Sequence, residues 1–121
     1  MSYYTDVRLD YDSKDGSVTE DMLLAEARVY VSRFSHYVVD KAMKDLTPMF
    51  RTGRGSLKGM TCVDLTGLFL ALSRKFPKVR LDIWGHGEEF ADVWARRFLG
   101  GKIIVKRGPF DRLVRPVTVP D

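Results

Sequence analysis

The stretch EEFADVWARRFL, Glu88 to Leu99, continuing into GGKIIVK, decides the fold because two secondary structures compete for it. As a helix, it has apolar residues at three- and four-residue spacing from Phe90 to Phe98. As a strand, it places Phe90, Trp94 and Phe98 on one face, with Gly100–Gly101 as a two-residue hairpin turn. Periodicity alone favours the helix.

Regular alternation predicts strands on both sides of this segment. Residues 79–84 alternate apolar side chains with polar or aromatic ones, and Lys102 to Lys106 reads KIIVK. Near the start of the chain, residues 3–12 place apolar or β-branched side chains on one face and mostly charged side chains on the other. We therefore expect at least three strands.

Helical spacing predicts two helices after the first strand. Ser17 and Glu20 have the spacing of a capping box, and apolar residues then recur through residues 23–34. A second helical pattern covers residues 39–46. Pro48 is expected to end or distort it, because proline lacks a backbone donor and clashes with the preceding turn.

A glycine-rich basic segment, Arg51 to Gly59, is expected to be a loop before a third helix. Its glycines and cations suggest phosphate binding, but it does not match the phosphate-loop pattern, and a simple connection explains it equally well. Thr61 and Asp64 have the spacing of a second capping box. Apolar residues cover more than one side of the helix that follows, so this helix should be the most buried one, and Pro77 should end it.

Composition indicates one globular domain. The chain has 121 residues, of which 45% are hydrophobic and 30% charged, as is usual for a folded domain with its own core. We predict a single α+β domain over residues 1–108 and an extended basic tail over residues 109–121. Cys62, the lone cysteine, excludes an internal disulfide. The acidic start and the lack of a long apolar run predict a cytoplasmic protein with no membrane interaction.

The C-terminal half carries a resemblance. FPKVRLDIWGHGEEFADVW, Phe76 to Trp94, and GGKI, Gly100 to Ile103, resemble small, mostly uncharacterised phage and mobile-element accessory proteins with a ferredoxin-like α+β domain. In those proteins an aromatic–proline helix end leads into an alternating strand and a Gly/Glu-rich turn. YYTDV, Tyr3 to Val7, resembles their start, whereas the middle of the chain contributes nothing specific.

This resemblance implies a small antiparallel sheet with about three helices packed on one face. The sheet would contain the first strand, residues 79–84, a hairpin partner and residues 102–106. The resemblance therefore favours the strand over the helix for the deciding stretch, and we prefer the hairpin while keeping the helix open. As a strand, the stretch places Arg96 beside Trp94 and Phe98, with Arg97 on the opposite face.

His86, Glu88, Glu89 and Asp92 are candidate ligands of a divalent metal. A metal site usually needs three or four converging ligands, and His36, the other histidine, lies in a distant segment. A flexible turn with solvated acids is the preferred interpretation, so we expect no metal and no cofactor. Cys62 lies near a predicted helix start and is more simply a small buried residue than a nucleophile. We therefore expect no enzymatic activity.

Charge is distributed unevenly. Residues 96–115 carry seven basic residues and one acid, giving +6, whereas residues 1–30 carry three basic and seven acidic residues, giving −4. Such a basic region can bind a phosphate backbone or an acidic protein. It can equally be a solvated face whose aromatic neighbours fill the core. The extended tail could also add as a strand to a partner's sheet.

We accordingly expect a non-enzymatic phage-type accessory protein that binds a host or phage protein in the host cytoplasm. A nucleic-acid-binding protein that uses the same cations is the alternative. The expected contacts lie in the turn between the two tryptophans, on the sheet edge and in the basic tail. The candidate binding residues are Trp84, His86, Glu88, Glu89, Trp94, Arg96, Arg97, Lys106, Arg107, Arg112 and Arg115.

Overall fold

The computed structural model describes residues 4–34, 37–87 and 93–108. These residues form strands and helices in the order β1 (Tyr4–Ser13), α1 (Glu20–Ser32), α2 (Val39–Thr52), β2 (Arg54–Lys58), α3 (Cys62–Lys75), β3 (Val79–His86), β4 (Val93–Leu99) and β5 (Lys102–Arg107). The strands form one antiparallel sheet in the order β2-β1-β3-β4-β5. The predicted α+β class is confirmed, whereas the predicted tail lies outside the described residues.

The helices cover one face of this sheet. α2 packs on β1 and β2, α3 packs on β3, β4 and β5, and α1 packs against both of the other helices. The covered strand positions are apolar and buried, as at Leu9, Ile83 and Phe98. Phe69 of α3 stacks on Phe98 at 6.0 Å between ring centroids and on Phe50 of α2 at 5.8 Å. Burial of these large side chains is the main stabilising contribution.

The strand interpretation of the deciding stretch is confirmed for β4. Gly100 and Gly101 form the two-residue turn, with φ of 64° and 76°, and Leu99 pairs with Lys102 across it. Two successive left-handed residues are what a tight hairpin of this type requires, and glycine adopts them at little cost. Helical periodicity misled here because Phe98 is buried by β3, β5 and α3 together, and these are contacts that local spacing does not encode.

Two sequence predictions were wrong: that Pro48 ends α2, and that residues 51–59 form a loop. α2 continues through Pro48 to Thr52, whose hydroxyl donates to the Pro48 carbonyl at 2.7 Å. The extra turn buries Met49 and Phe50, which offsets the missing donor. The expected loop over residues 51–59 contains β2, which pairs with β1 and has one buried side chain, Leu57.

The capping predictions had different outcomes. The box at Thr61 and Asp64 is confirmed, because the Thr61 backbone N–H donates to the Asp64 carboxylate at 2.9 Å and the Asp64 N–H donates back at 3.4 Å. The box at Ser17 and Glu20 was wrong, since Thr19 caps α1 and accepts from the Met22 N–H at 3.3 Å. No helix within the described ranges is long and apolar enough to span a membrane.

Candidate functional site

The sheet face opposite the helices, called the open face below, is exposed and carries most of the candidate chemistry. Trp84 and His86 lie on it, both exposed. They belong to β3, which runs to His86. The predicted strand through Trp84 is confirmed, whereas the prediction that His86 lies in a turn was wrong. β1 continues far enough to pair with them, and these backbone hydrogen bonds keep the chain extended.

One cross-strand row on the open face joins Trp84 to three arginines. The pairing registers place Arg54, Arg8, Trp84, Ala95 and Arg107 side by side on β2, β1, β3, β4 and β5. The Arg8 guanidinium carbon lies 5.7 Å from the centroid of the Trp84 ring, within the range of a cation–π interaction. Trp84 nevertheless remains 43% exposed.

A groove of about 580 Å³ lies beside this row, over β2, β1, β3 and the start of β4. Successive side chains of a strand point to opposite faces of the sheet. Between two neighbouring rows of open-face residues there is therefore one row whose side chains point towards the helices. The residues of that intervening row form the floor of the groove: Gly55, Val7, Gly85 and Trp94. The open-face residues that line the groove are Asp6, Arg8, Arg54, Trp84, His86 and Val93.

The next part of the open face is an ion-pair network centred on Asp82. Its buried carboxylate accepts from Arg97 Nε at 2.6 Å and lies 2.9 Å from Arg80 Nε. Arg80 also donates to Asp10 at 2.9 Å. The hydrogen bond from Arg97 to Asp82 raises the pKa of that guanidinium further above its ordinary value. Arg97, predicted as a binding residue, thus lies on the open face but is already paired.

The arginines of the Trp84 row differ from those of this network in their ion-pair partners. Within the described part of the chain, no carboxylate lies within ion-pairing distance of Arg8, Arg54 or Arg107, although acids pair with four other arginines. Directly opposed like charges destabilise a sheet. Arg8 faces Arg54 directly across β1 and β2, so an unneutralised positive charge is concentrated at one side of the groove.

Trp94 and Arg96 were predicted as contacts, and the structure buries both on the helix side, where Trp94 lines the groove and Arg96 does not. Arg96 is 4% exposed and Trp94 is 2% exposed. Arg96 donates to the carbonyl of Ala95 at 2.8 Å and to that of Arg107 at 2.5 Å. It therefore joins two strands from inside the fold and does not present its charge to a partner.

Arg96 also donates to the Cys62 sulfur at 3.3 Å. Burial raises the pKa of the Cys62 thiol, and the positive charge of Arg96 offsets that rise only partly. The thiol is accordingly protonated near neutral pH, a state in which it is a poor nucleophile. The expectation that Cys62 is a small buried residue is confirmed.

The remaining predicted contacts separate into two groups. Lys106 and Arg107 are exposed on β5, where Lys106 pairs with Arg96 and Arg107 pairs with Ala95, so their side chains leave opposite faces of the sheet.

Four other predicted contacts lie outside the described residues: Glu88, Glu89, Arg112 and Arg115. Asp92 lies outside them as well, so the metal hypothesis built on His86 is untested. Within the described ranges, no three potential ligands form a metal-binding group.

Sequence reasoning missed Arg8 and Arg54 as site residues. The alternation of the first strand did place Arg8 on its charged face. Arg54 was assigned to a loop, so no pattern could bring it beside Arg8. The register between β1 and β2 supplies this information, and it depends on Leu57 packing into the core.

No protein-family model matches the chain, and no curated protein or solved structure resembles it at a significant level. The ferredoxin-like arrangement therefore stays a prediction, as does the resemblance to phage accessory proteins.

Substitution of Asp82 tests the ion-pair network. We expect Asp82→Asn to lower the free energy of unfolding by about 1.5 kcal/mol, because two arginines lose a buried anionic acceptor. Asp12→Asn is the matched control, since Asp12 is half-exposed and 3.9 Å from Arg80, and its effect should stay below about 0.5 kcal/mol. Urea unfolding followed by circular dichroism measures both. Equal losses would show that Asp82 is not the centre of the network.

Proposed function

We propose that this chain is a non-enzymatic binding module, of the phage accessory type that its two ends resemble, and that it binds a protein partner. The partner would be a host or phage protein in the cytoplasm of the host cell. The observation that carries the proposal is the exposed surface at the β5 end of the sheet. We call it the β5 edge surface and define it by Leu99, Lys102, Ile104, Val105, Lys106 and Arg107.

The β5 edge surface combines an end strand with exposed apolar groups. β5 is the last strand of the sheet and pairs on one side with β4, and no described strand pairs with its other side. Ile104 is 49% exposed and Val105 is 37% exposed. Leu99, across the hairpin turn, is 39% exposed. Adjacent exposed apolar side chains with a polar rim are typical of protein-binding surfaces.

The chemistry of this strand also indicates what kind of segment would bind. An extended segment can add to a sheet edge through main-chain hydrogen bonds, while side-chain contacts give specificity. Lys102, Lys106 and Arg107 flank the apolar pair, so an extended segment with acidic residues around an apolar centre is the complementary partner. Two copies of β5 would instead oppose cations to cations, which disfavours self-association through this edge.

A charge placed in the apolar centre tests this proposal. Ile104→Glu should abolish capture of the partner from a lysate of the cells that express the chain, because it introduces a carboxylate into the contact. Val29→Glu is the control, since Val29 is 44% exposed on α1, away from β5. Its capture should equal that of the wild type. Quantitative mass spectrometry of captured proteins measures the difference, and a partner retained equally by both variants would contradict the proposal.

Nucleic-acid binding is the second candidate, because Lys102, Lys106 and Arg107 are exposed and have no carboxylate at ion-pairing distance within the described residues. Lys106 and Arg107 leave opposite faces of β5, so a single strand would have to run along the sheet edge to contact all three cations. With three phosphate contacts to a single strand, affinity should fall about 20-fold as salt rises from about 50 mM to about 200 mM.

Fluorescence anisotropy with labelled oligonucleotides measures this salt dependence. The double variant Lys106→Ala/Arg107→Ala should reduce both the affinity and the slope if the β5 cations contact phosphate. Absence of binding at low salt would exclude this candidate and leave the protein partner. A partner that binds through the apolar centre should show a much weaker dependence on salt.

A further inference from the structure

We propose that the groove beside Trp84 binds a nucleotide, with its base stacked on the Trp84 ring and its phosphate held by Arg8 and Arg54. The ligand chemistry is a planar aromatic ring that carries an anionic group. It can come from a free nucleotide or from one residue of a single strand. The site lies over β1, β2 and β3, away from the β5 edge surface, and it does not depend on the protein partner proposed above.

The first argument is the contrast between two like-charged pairs on the same open face. Asp10 and Asp82 oppose each other across β1 and β3, and Arg80 and Arg97 neutralise them. Arg8 and Arg54 oppose each other in the same way across β1 and β2. The described residues provide no carboxylate at ion-pairing distance for this second pair, so a bound anion would relieve the repulsion that the fold leaves in place.

The second argument is the aromatic platform next to that charge. Trp84 is the direct cross-strand neighbour of Arg8 and is 43% exposed, whereas Trp94 is buried. Base–aromatic stacking on an exposed ring combined with nearby cations is the physical basis of nucleotide and single-strand recognition on sheet surfaces.

The third argument is the shape of the groove. Its volume of about 580 Å³ lies within the range of pockets that hold small organic ligands. Gly55 and Gly85 contribute backbone without side chains to its floor. Asp6 and His86, in the adjacent row, line the part of the groove away from Arg54. There a carboxylate and an imidazole can exchange hydrogen bonds with the edge of a base.

Isothermal titration calorimetry of the full chain with adenosine 5′-monophosphate tests the proposal, with a short single-stranded oligodeoxyadenylate in a second arm. Trp84→Ala should weaken binding about 10-fold or more, because the stacking platform is lost. Trp84→Phe should retain most of the affinity, since it keeps a ring. Arg54→Ala should weaken binding about 5-fold, as expected for loss of one charge-assisted contact.

Two controls separate specific binding from general charge. Arg33→Ala removes one exposed arginine on the helical side and should leave affinity unchanged. Ribose 5-phosphate carries the anion without the ring and should bind clearly more weakly than the nucleotide. Circular dichroism confirms that each variant is folded, and Arg54→Ala and Trp84→Phe remain informative if Trp84→Ala does not fold.

The outcomes are distinct. Binding of the mononucleotide that depends on Trp84 and Arg54 supports a free nucleotide as the ligand, whereas the same dependence with the oligonucleotide alone supports a single strand. The proposal is overturned if neither probe binds at millimolar concentration or if ribose 5-phosphate binds as well as the mononucleotide. Ile104→Glu should not change nucleotide affinity, so failure here is distinguishable from failure of the protein-partner proposal.

Discussion

The packing of the Trp94 ring over Gly85 fixes the register of β3 against β4, and the character of both sheet faces depends on that register. Gly85 and Trp94 are direct cross-strand partners, and a side chain at position 85 would overlap the indole ring. Glycine is therefore required there to let the ring lie against the backbone. A slip of one residue would exchange the faces of β4 and expose Trp94 and Arg96.

This register determines which arginines are held by hydrogen bonds or ion pairs within the fold and which are available to bind a ligand. Arg96 is turned inward and joins β4, β5 and the start of α3 through hydrogen bonds. Arg97, its neighbour in sequence, is turned outward and is held by Asp82. The arginines of the Trp84 row share the outward face but lack such partners among the described residues. Net charge along the sequence therefore says little about which cations can bind a ligand.

The sequence predicted much of the fold but only part of the candidate site. Alternation identified β1 and β3 because each has one buried and one solvated face, and Thr61 marked the start of α3. Sequence patterns did not reveal β2, because its glycine and its single buried leucine give no regular alternation. They also failed at Pro48, because the burial of Met49 and Phe50 stabilises the helix beyond the proline. Arg8 and Arg54 meet only through the β1–β2 register, which no local pattern encodes, so this part of the site required the structure.

Acrylamide quenching of two single-tryptophan variants tests the register most directly. Trp94→Phe reports on Trp84, and Trp84→Phe reports on Trp94. The structure predicts that Trp84 is quenched several-fold more efficiently, because Trp84 is 43% exposed on the open face whereas Trp94 is buried on the face that the helices cover. Equal quenching, or stronger quenching of Trp94, would mean that β4 presents its other face and would contradict the assignment of the open face.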